Sequence, residues 1–114
     1  MTPSQARKIA LSMPEAEEHA HMGHPDFRVR NKIFATLWPD EKRAVVKLSL
    51  ADQAALLQMH PQVFSLNAWS HQGATNVHLP LADVALFRKL IEDSWRRVAP
   101  KKLVAAYDES EPKG

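Results

Sequence analysis

The chain has 114 residues, which is the length of one domain. It has no cysteine, so disulfide bonds and thiolate metal sites are excluded, and its net charge of +2 makes it only mildly basic. No apolar run approaches the roughly 20 residues that a membrane span needs, and the N-terminus lacks a signal-peptide pattern. The sequence therefore predicts a cytoplasmic protein without membrane association.

The N-terminal third predicts a helix followed by a β-meander. Thr2 caps the helix, Pro3 suits its first turn, and Pro14 ends it. Alternating and β-forming residues then predict antiparallel strands, joined by turns at residues 31–32 and 39–42. The predicted strands are residues 26–30, 33–38 and 43–48, with residues 17–21 as a candidate fourth strand.

The remaining sequence adds helices and one more strand. Ser49 caps a short helix whose expected buried side is Leu50, Ala54 and Leu57, and residues 75–79 form a strand. Asp83 caps the longest helix, and residues 100–107 form a last short one. This order predicts a single α+β domain over residues 1–108, with helices on one face of an antiparallel sheet and a flexible tail at residues 109–114.

The register of the meander predicts two different sheet faces. A two-residue turn at Asn31-Lys32 would pair Arg30 with Ile33, and the second turn would pair Trp38 with Arg43. One face is then wholly apolar and should lie under the first and the longest helices: Ile33, Ala35, Leu37, Ala44, Val46 and Leu48. The other face carries Phe27, Val29, Phe34, Thr36, Trp38, Arg43, Val45 and Lys47. A three-residue first turn would instead exchange the faces of residues 26–30.

The mixed face has two interpretations. Aromatic side chains beside cations are typical of a surface on which nucleic-acid bases stack. Alternatively, Phe27, Phe34 and Trp38 form a second small core under loops, which is the more common position of aromatic residues.

Six cations flank the two turns of the meander, and they could hold phosphates as two wings. They are Arg28, Arg30, Lys32, Lys42, Arg43 and Lys47. Asp26, Asp40 and Glu41 dilute this charge, so a solvated hairpin surface explains the cations equally well.

Other candidate chemistry is poorly supported. His19, His21 and His24 are close in sequence, but they match no recognised ligand motif. No nucleophile elbow or glycine-rich phosphate loop is present. We therefore expect no metal, no other cofactor and no enzymatic activity.

Several segments resemble the MmcQ/YjbR family. The stretch His24-Pro25-Asp26-Phe27-Arg28-Val29, followed by Lys32-Ile33-Phe34-Ala35, is similar to the family pattern HPxFxV…GKxFA. The end of the family's first helix is similar to residues 10–15. Its late I-x-D-S-Y/W segment is similar to residues 91–95, and residues 98–102 fit the continuation of that segment. The resemblance covers residues 4–107 and implies a CyaY-like fold with a proposed double-wing DNA-binding role, in which two hairpins contact a duplex.

The chain departs from the family pattern at two positions. Asn31 stands where the first turn usually has glycine. Ala74 follows Gly73 where many relatives have tryptophan, and Trp69 upstream is a candidate to fill that space.

The sequence supports two hypotheses about function. The leading hypothesis is a monomer that binds double-stranded DNA without sequence specificity through the six cations of the two turns. The alternative is a module that binds a small molecule or a protein partner in an aromatic pocket near His24, Phe34 and Trp38. A continuous positive ridge across both turns favours the first, and a deep aromatic pocket favours the second.

Overall fold

A computed structural model describes residues 1–110 of the chain. These residues form the predicted α+β fold, with helices packed on one face of an antiparallel sheet. The helices are α1 (Pro3–Leu11), α2 (Leu50–Met59), α3 (Val84–Val98) and α4 (Lys101–Ser110). The strands are β1 (Glu17–His21), β2 (His24–Val29), β3 (Lys32–Trp38), β4 (Arg43–Lys47), β5 (Phe64–Ser65) and β6 (Ala74–His78), in the sheet order β1-β2-β3-β4-β6-β5. Within this part of the chain, no helix has the length and apolar character needed to cross a membrane.

The helix starts follow the predicted capping residues. The Thr2 hydroxyl accepts a bond from the Gln5 amide at 3.1 Å, and the Gln5 side chain accepts one from the Thr2 amide at 2.8 Å. Ser49 and Asp83 likewise cap α2 and α3. These side chains satisfy amide groups that a helix N-terminus leaves without partners, so local sequence is enough to place the starts.

The buried side of α2 differs from the prediction. Leu50 is 57% exposed and Ala54 is exposed, whereas Gln53 is buried. The Gln53 amide donates to the carbonyl oxygens of Ser70 and Ala74 and to the Thr75 hydroxyl, all at 3.0–3.1 Å. Helix α2 therefore holds the loop before β6 by hydrogen bonds, which an apolar pattern does not reveal.

Two further elements, β5 and α4, differ from the prediction. The two residues of β5 are too few to show alternation, so the sequence does not predict this strand. Helix α4 continues to Ser110, past the expected start of the tail, and residues 111–114 of that tail lie outside the described residues. The candidate fourth strand, residues 17–21, is confirmed as β1.

The first turn of the meander is not at Asn31-Lys32 as predicted. Val29 pairs with Lys32, and the turn residues Arg30 and Asn31 have φ values of 51° and 65°. Positive φ at both central residues is the geometry of a type I′ turn, whose twist suits a β-hairpin. Next to this turn the β2–β3 register therefore shifts by two residues from the prediction, since Arg28 pairs with Ile33 and not with Ala35.

A bulge in β3 then exchanges side chains between the sheet faces. Phe27 pairs with Ala35 and Arg28 pairs with Ile33, so Phe34 is an extra residue in β3. Phe27, Val29 and Phe34 are fully buried in the core, although the prediction placed them on the mixed face. Ile33, predicted in the core, instead lines the opposite face.

The rest of the predicted apolar face is confirmed. The side chains of this set are nearly inaccessible, and α1 and α3 contact the strands that carry them. The confirmed residues are Ala35, Leu37, Ala44, Val46 and Leu48. The sheet face opposite α1 and α3 is called the open face below.

The buried hydroxyl of Ser94 in α3 lies between β3 and β4. Direct pairing of these strands stops at Ala35 and Val46, so Phe34 and Lys47 would form the next pair. Ser94 Oγ instead accepts a hydrogen bond from the Lys47 amide at 2.9 Å and donates one to the Phe34 carbonyl. The hydroxyl thereby satisfies two backbone groups that the bulged strand leaves without a ladder partner.

We expect Ser94→Ala to lower the free energy of unfolding by about 2 to 3 kcal/mol, because two backbone groups lose their partner in a buried site. Denaturant unfolding monitored by circular dichroism measures this change. Ser4→Ala, at an exposed position of α1, is the matched control and should change stability by less than about 0.5 kcal/mol. Equal effects of the two substitutions would contradict the bridging role of Ser94.

Gly73, just before β6, lies unusually close to Leu48, the residue that follows β4. Its carbonyl accepts a hydrogen bond from the Leu48 amide at 2.9 Å. Its φ is +97°, and a Cβ atom at this position would lie 2.2 Å from the Leu48 carbonyl oxygen. Only glycine combines this backbone conformation with this close approach.

Gly73→Ala should destabilise the protein by about 2 to 4 kcal/mol, since the left-handed conformation and the clash both carry a cost. Gly23→Ala isolates the first cost, because Gly23 also has a positive φ, +81°, but a Cβ atom added there would have nothing within 4 Å. That variant should lose only about 1 to 2 kcal/mol in the same unfolding experiment. A larger loss at Gly23 than at Gly73 would show that the contact with Leu48 is unimportant.

Candidate functional site

A groove of about 550 Å³ crosses the open face over β3, β4 and β6. Thr36 and Val45, which are cross-strand neighbours, form the middle of its floor. Trp38 and Arg43 form one end, and the loop between β5 and β6 forms a side wall. The complete lining is Ile33, Thr36, Trp38, Arg43, Val45, Lys47, Asn67, Trp69, Gln72 and Ala74.

Trp38 is held between side chains of both neighbouring strands. The His24 ring of β2 lies 3.5 Å from the Trp38 ring centre, and the Arg43 guanidinium of β4 lies 4.5 Å from it. The indole Nε1 of Trp38 donates to Thr36 Oγ1 at 3.3 Å. Ring stacking and a cation–π contact thus fix Trp38 as part of the groove wall.

Arg43 has further partners that fix its position. Its Nη1 donates to Asn76 Oδ1 at 3.0 Å, and its Nη2 donates to Glu41 Oε2 at 3.1 Å. Asn76 Oδ1 also accepts from Asn67 Nδ2 at 2.9 Å. Arg43 therefore connects the sheet floor to the loop that forms the side wall.

Trp69 stands on that loop with 65% of its surface exposed. The loop is nevertheless well fixed, because Asn67 Oδ1 accepts from the Trp69 amide at 2.8 Å and Ser70 Oγ donates to the Ala74 carbonyl at 2.7 Å. Hydrogen bonds from Gln53 of α2 to the Ser70 and Ala74 carbonyls hold the same segment. A large apolar ring held in solvent by a hydrogen-bonded loop is a feature typical of binding surfaces.

The charge of the groove is positive. Its lining contains the cations Arg43 and Lys47 and no carboxylate, and the Glu41 carboxylate outside the lining is paired with Arg43. Lys47 pairs across the strands with Ala74, whose amide bonds to the Trp69 carbonyl at 3.4 Å. Lys47 and the exposed Trp69 therefore both line the groove and are both linked to Ala74, one by strand pairing and the other by a backbone bond.

Two of the predicted DNA-binding cations are already paired with carboxylates. Arg28 makes two bonds to Asp26, at 2.8 and 3.1 Å, and a third to Asn31 at 3.0 Å. The bond to Asp26 raises the pKa of the Arg28 guanidinium. Although Asp26 lies on the open face, its side chain is only 1% exposed.

Arg30 is paired in the same way with Glu15, at 2.6 and 3.2 Å. This hydrogen bonding raises the pKa of Arg30 and lowers the pKa of Glu15. The first turn therefore presents two arginines whose charge is largely neutralised by neighbouring residues.

The other predicted DNA-binding residues divide into two groups. Lys32 and Lys42 are exposed next to the two turns, and Lys42 itself adopts a left-handed conformation with φ 50°. Arg43 and Lys47 line the groove instead. The structure therefore does not bring the six predicted cations together as one unpaired basic surface.

The three residues of the predicted aromatic pocket do not lie together. Trp38 lines the groove, and His24 supports it from β2. The prediction for Phe34 is wrong, because the bulge turns this side chain into the core under α3.

Seven of the ten groove residues were not among the predicted site residues, and three of these seven lie in the loop between β5 and β6: Asn67, Trp69 and Gln72. They lie in a stretch rich in Asn, Ser and Gly around an exposed tryptophan, and such stretches are the usual composition of functional loops. Trp69 and Ala74 line the same groove, so Trp69 lies near the space that it was expected to fill.

The histidines near β1 and β2 do not form a ligand set among the described side chains. His24 stacks on Trp38, and His19 Nε2 lies 3.5 Å from Glu17 Oε2. No group of three or more His, Asp or Glu side chains within the described residues is arranged to hold a metal ion.

Comparisons with known proteins agree with this fold. A crystal structure of the Deinococcus radiodurans protein DR2400, which has a DUF419 domain, is similar to this chain with a TM-score of 0.77 and 19% sequence identity. The similarity covers 89% of this chain and 80% of the other and, at this identity, shows the fold alone. No curated protein sequence matches this chain. The YjbR family model matches residues 11–97, which is most of the sequence, and the chain therefore belongs to the YjbR family.

Proposed function

We propose that this YjbR-family chain is a non-catalytic binding protein whose open-face groove takes a small, planar, negatively charged ligand. The observation that carries the proposal is the position of two tryptophans beside Lys47 and the Glu41-paired Arg43, in a groove lined by no carboxylate. Its volume of about 550 Å³ is within the range of roughly 300 to 1,000 Å³ that is usual for small-molecule sites.

The groove chemistry supports binding rather than catalysis. Among its lining residues there is no carboxylate, histidine or cysteine that could serve as a base or nucleophile. The Thr36 hydroxyl already accepts a bond from Trp38. A hydroxyl without a neighbouring base is a weak nucleophile, so the groove lacks the parts of an acyl- or phosphoryl-transfer site.

The three tryptophans provide a test by nuclear magnetic resonance. Trp38 and Trp69 line the groove, whereas Trp95 is fully buried in the core and its Nε1 donates to the Pro14 carbonyl. Titration with 1-naphthalenesulfonate should shift the indole N–H signals of Trp38 and Trp69 and leave that of Trp95 unchanged. The signals are assigned with single Trp→Phe variants. No shift at millimolar probe, or equal shifts at all three rings, would contradict the proposal.

A charge substitution tests the anion preference. Lys47→Gln should weaken binding of 1-naphthalenesulfonate by about 1 kcal/mol, roughly fivefold, because an ion pair at an exposed site has about this strength. Binding of neutral 1-naphthalenemethanol should not change. Lys42→Gln is the matched control, since Lys42 is exposed but outside the groove lining. An equal loss for both probes would show that Lys47 acts by packing and not by charge.

A second candidate function is the double-wing contact with duplex DNA that the family resemblance implies. The observation in its favour is that Lys32 and Lys42 are exposed beside the two hairpin turns. Arg28 and Arg30 weaken it, because their charges are paired with Asp26 and Glu15. This candidate therefore depends on the lysines more than on the arginines.

If the turns hold a duplex, binding should be tolerant of sequence, with a Kd on the order of micromolar or weaker at physiological salt. Contacts from Lys32, Lys42 and Lys47 to three phosphates would give a log–log salt slope of about −3. Lys32→Gln with Lys42→Gln should reduce that slope by about 2. The matched control replaces Lys101 and Lys102, two lysines of α4, with glutamine. No duplex binding at low salt and high micromolar protein would exclude this candidate.

A further inference from the structure

The two groove tryptophans differ in which faces are available to a ligand. Trp38 belongs to the central strand β3, with His24 stacked on it from β2 and Arg43 placed over it from β4. Trp69 is 65% exposed and has no ring contact of this kind among the described residues. Trp69 is therefore the surface on which a planar group can stack, and Trp38 is a fixed wall.

Gln72 is placed on the same side of the loop as this stacking surface. Residues 70–72 form a 3₁₀ turn closed by a bond from the Gln72 amide to the Trp69 carbonyl at 2.9 Å. In 3₁₀ geometry, side chains three residues apart are eclipsed, and both side chains line the groove. A carboxamide offers two donors and one acceptor, so it suits a ring whose edge carries both kinds of group.

Lys47 adds a cation to the groove lining. It faces Ala74 across the strands, and Ala74 is bonded to the Trp69 backbone. Trp69, Gln72 and Lys47 thus all line the groove, and they supply an indole face, a carboxamide for the ring edge and an ammonium group. Heterocyclic bases linked to phosphate match all three groups, whereas a fatty acid matches only the cation and a hydrocarbon ring matches only the indole.

We propose that the groove ligand is a nucleobase–phosphate unit, with the base stacked on Trp69, its edge at Gln72 and its phosphate at Lys47. This inference rests on the proposed function of the groove and names the ligand class. The unit occurs in free nucleotides and in unpaired strands. It is not accessible in a duplex, where base faces are covered by stacking, so the site is distinct from the two hairpin turns.

The test is a calorimetric and NMR titration of the whole chain with adenosine 5′-monophosphate, adenosine and ribose 5-phosphate. The monophosphate should bind more tightly than either part, with the Trp69 indole signal shifted and the Trp95 signal unchanged. Trp69→Ala should weaken binding about 5- to 150-fold, the range typical for loss of one base–aromatic stack. Leu66→Ala is the matched control, because Leu66 is 57% exposed on the same loop but does not line the groove.

Two further variants separate the roles of the polar groups. Lys47→Gln should weaken the monophosphate and leave adenosine unchanged. Gln72→Ala should reduce the difference in affinity among the monophosphates of adenosine, guanosine, cytidine and uridine. If both variants weaken every compound equally, the assignment of phosphate to Lys47 and base edge to Gln72 is wrong.

Other outcomes distinguish this inference from the function on which it rests. Binding of 1-naphthalenesulfonate without binding of any of the four monophosphates would overturn the ligand class and leave the groove proposal intact. Failure of both probes would overturn both proposals. Monophosphate binding that survives Trp69→Ala but is lost with Lys32→Gln and Lys42→Gln would place the phosphate at the turns and overturn the inference.

A five-nucleotide single strand then separates the two sources of the unit. Tighter binding of the single strand than of the monophosphate supports an unpaired strand, and equal binding supports a free nucleotide. Binding of a duplex as tight as that of the single strand would contradict stacking on Trp69.

Discussion

At Phe34 the central strand β3 contains one residue more than its neighbour β2, and the Ser94 hydroxyl of α3 occupies the place where β3 and β4 would next pair. The bulge decides the direction of every side chain on the hairpin that precedes it. It sends Phe34 into the core and Ile33 to the open face. The hydroxyl makes this arrangement stable, because it satisfies the Phe34 carbonyl and the Lys47 amide at a buried position.

The open face is the consequence of that arrangement. Once Phe27, Val29 and Phe34 are in the core, the open side of β3 is left with Ile33, Thr36 and Trp38. These side chains line a groove on the open face, and the loop between β5 and β6 forms one of its sides. The result is a groove with an apolar floor and a positive rim, which is why we place function there.

The loop that carries Trp69 is held from two directions. Gln53 bonds to it from the helix side, and Asn67 and Asn76 join it to the sheet. Gly73 brings its end into contact with Leu48 where a side chain would not fit. Binding to a loop that is already ordered costs less conformational entropy than binding that must first order a mobile loop. This rigidity, more than the number of aromatic residues, makes Trp69 a suitable stacking surface.

The sequence alone determined the helix starts, the α+β class, the second turn with its Trp38–Arg43 pair, and the core positions on β4. Capping side chains and strand alternation act within a few residues, so they are visible in the sequence. It did not determine the faces of residues 26–34, because one extra residue in β3 reverses the alternation and only packing against α3 reveals it. Nor did it show that Arg28 and Arg30 are paired with Asp26 and Glu15, or that Trp69 and Lys47 line the same groove. The Arg30–Glu15 pair and the shared groove of Trp69 and Lys47 join parts of the chain that are distant in sequence, and only the tertiary structure brings such parts together.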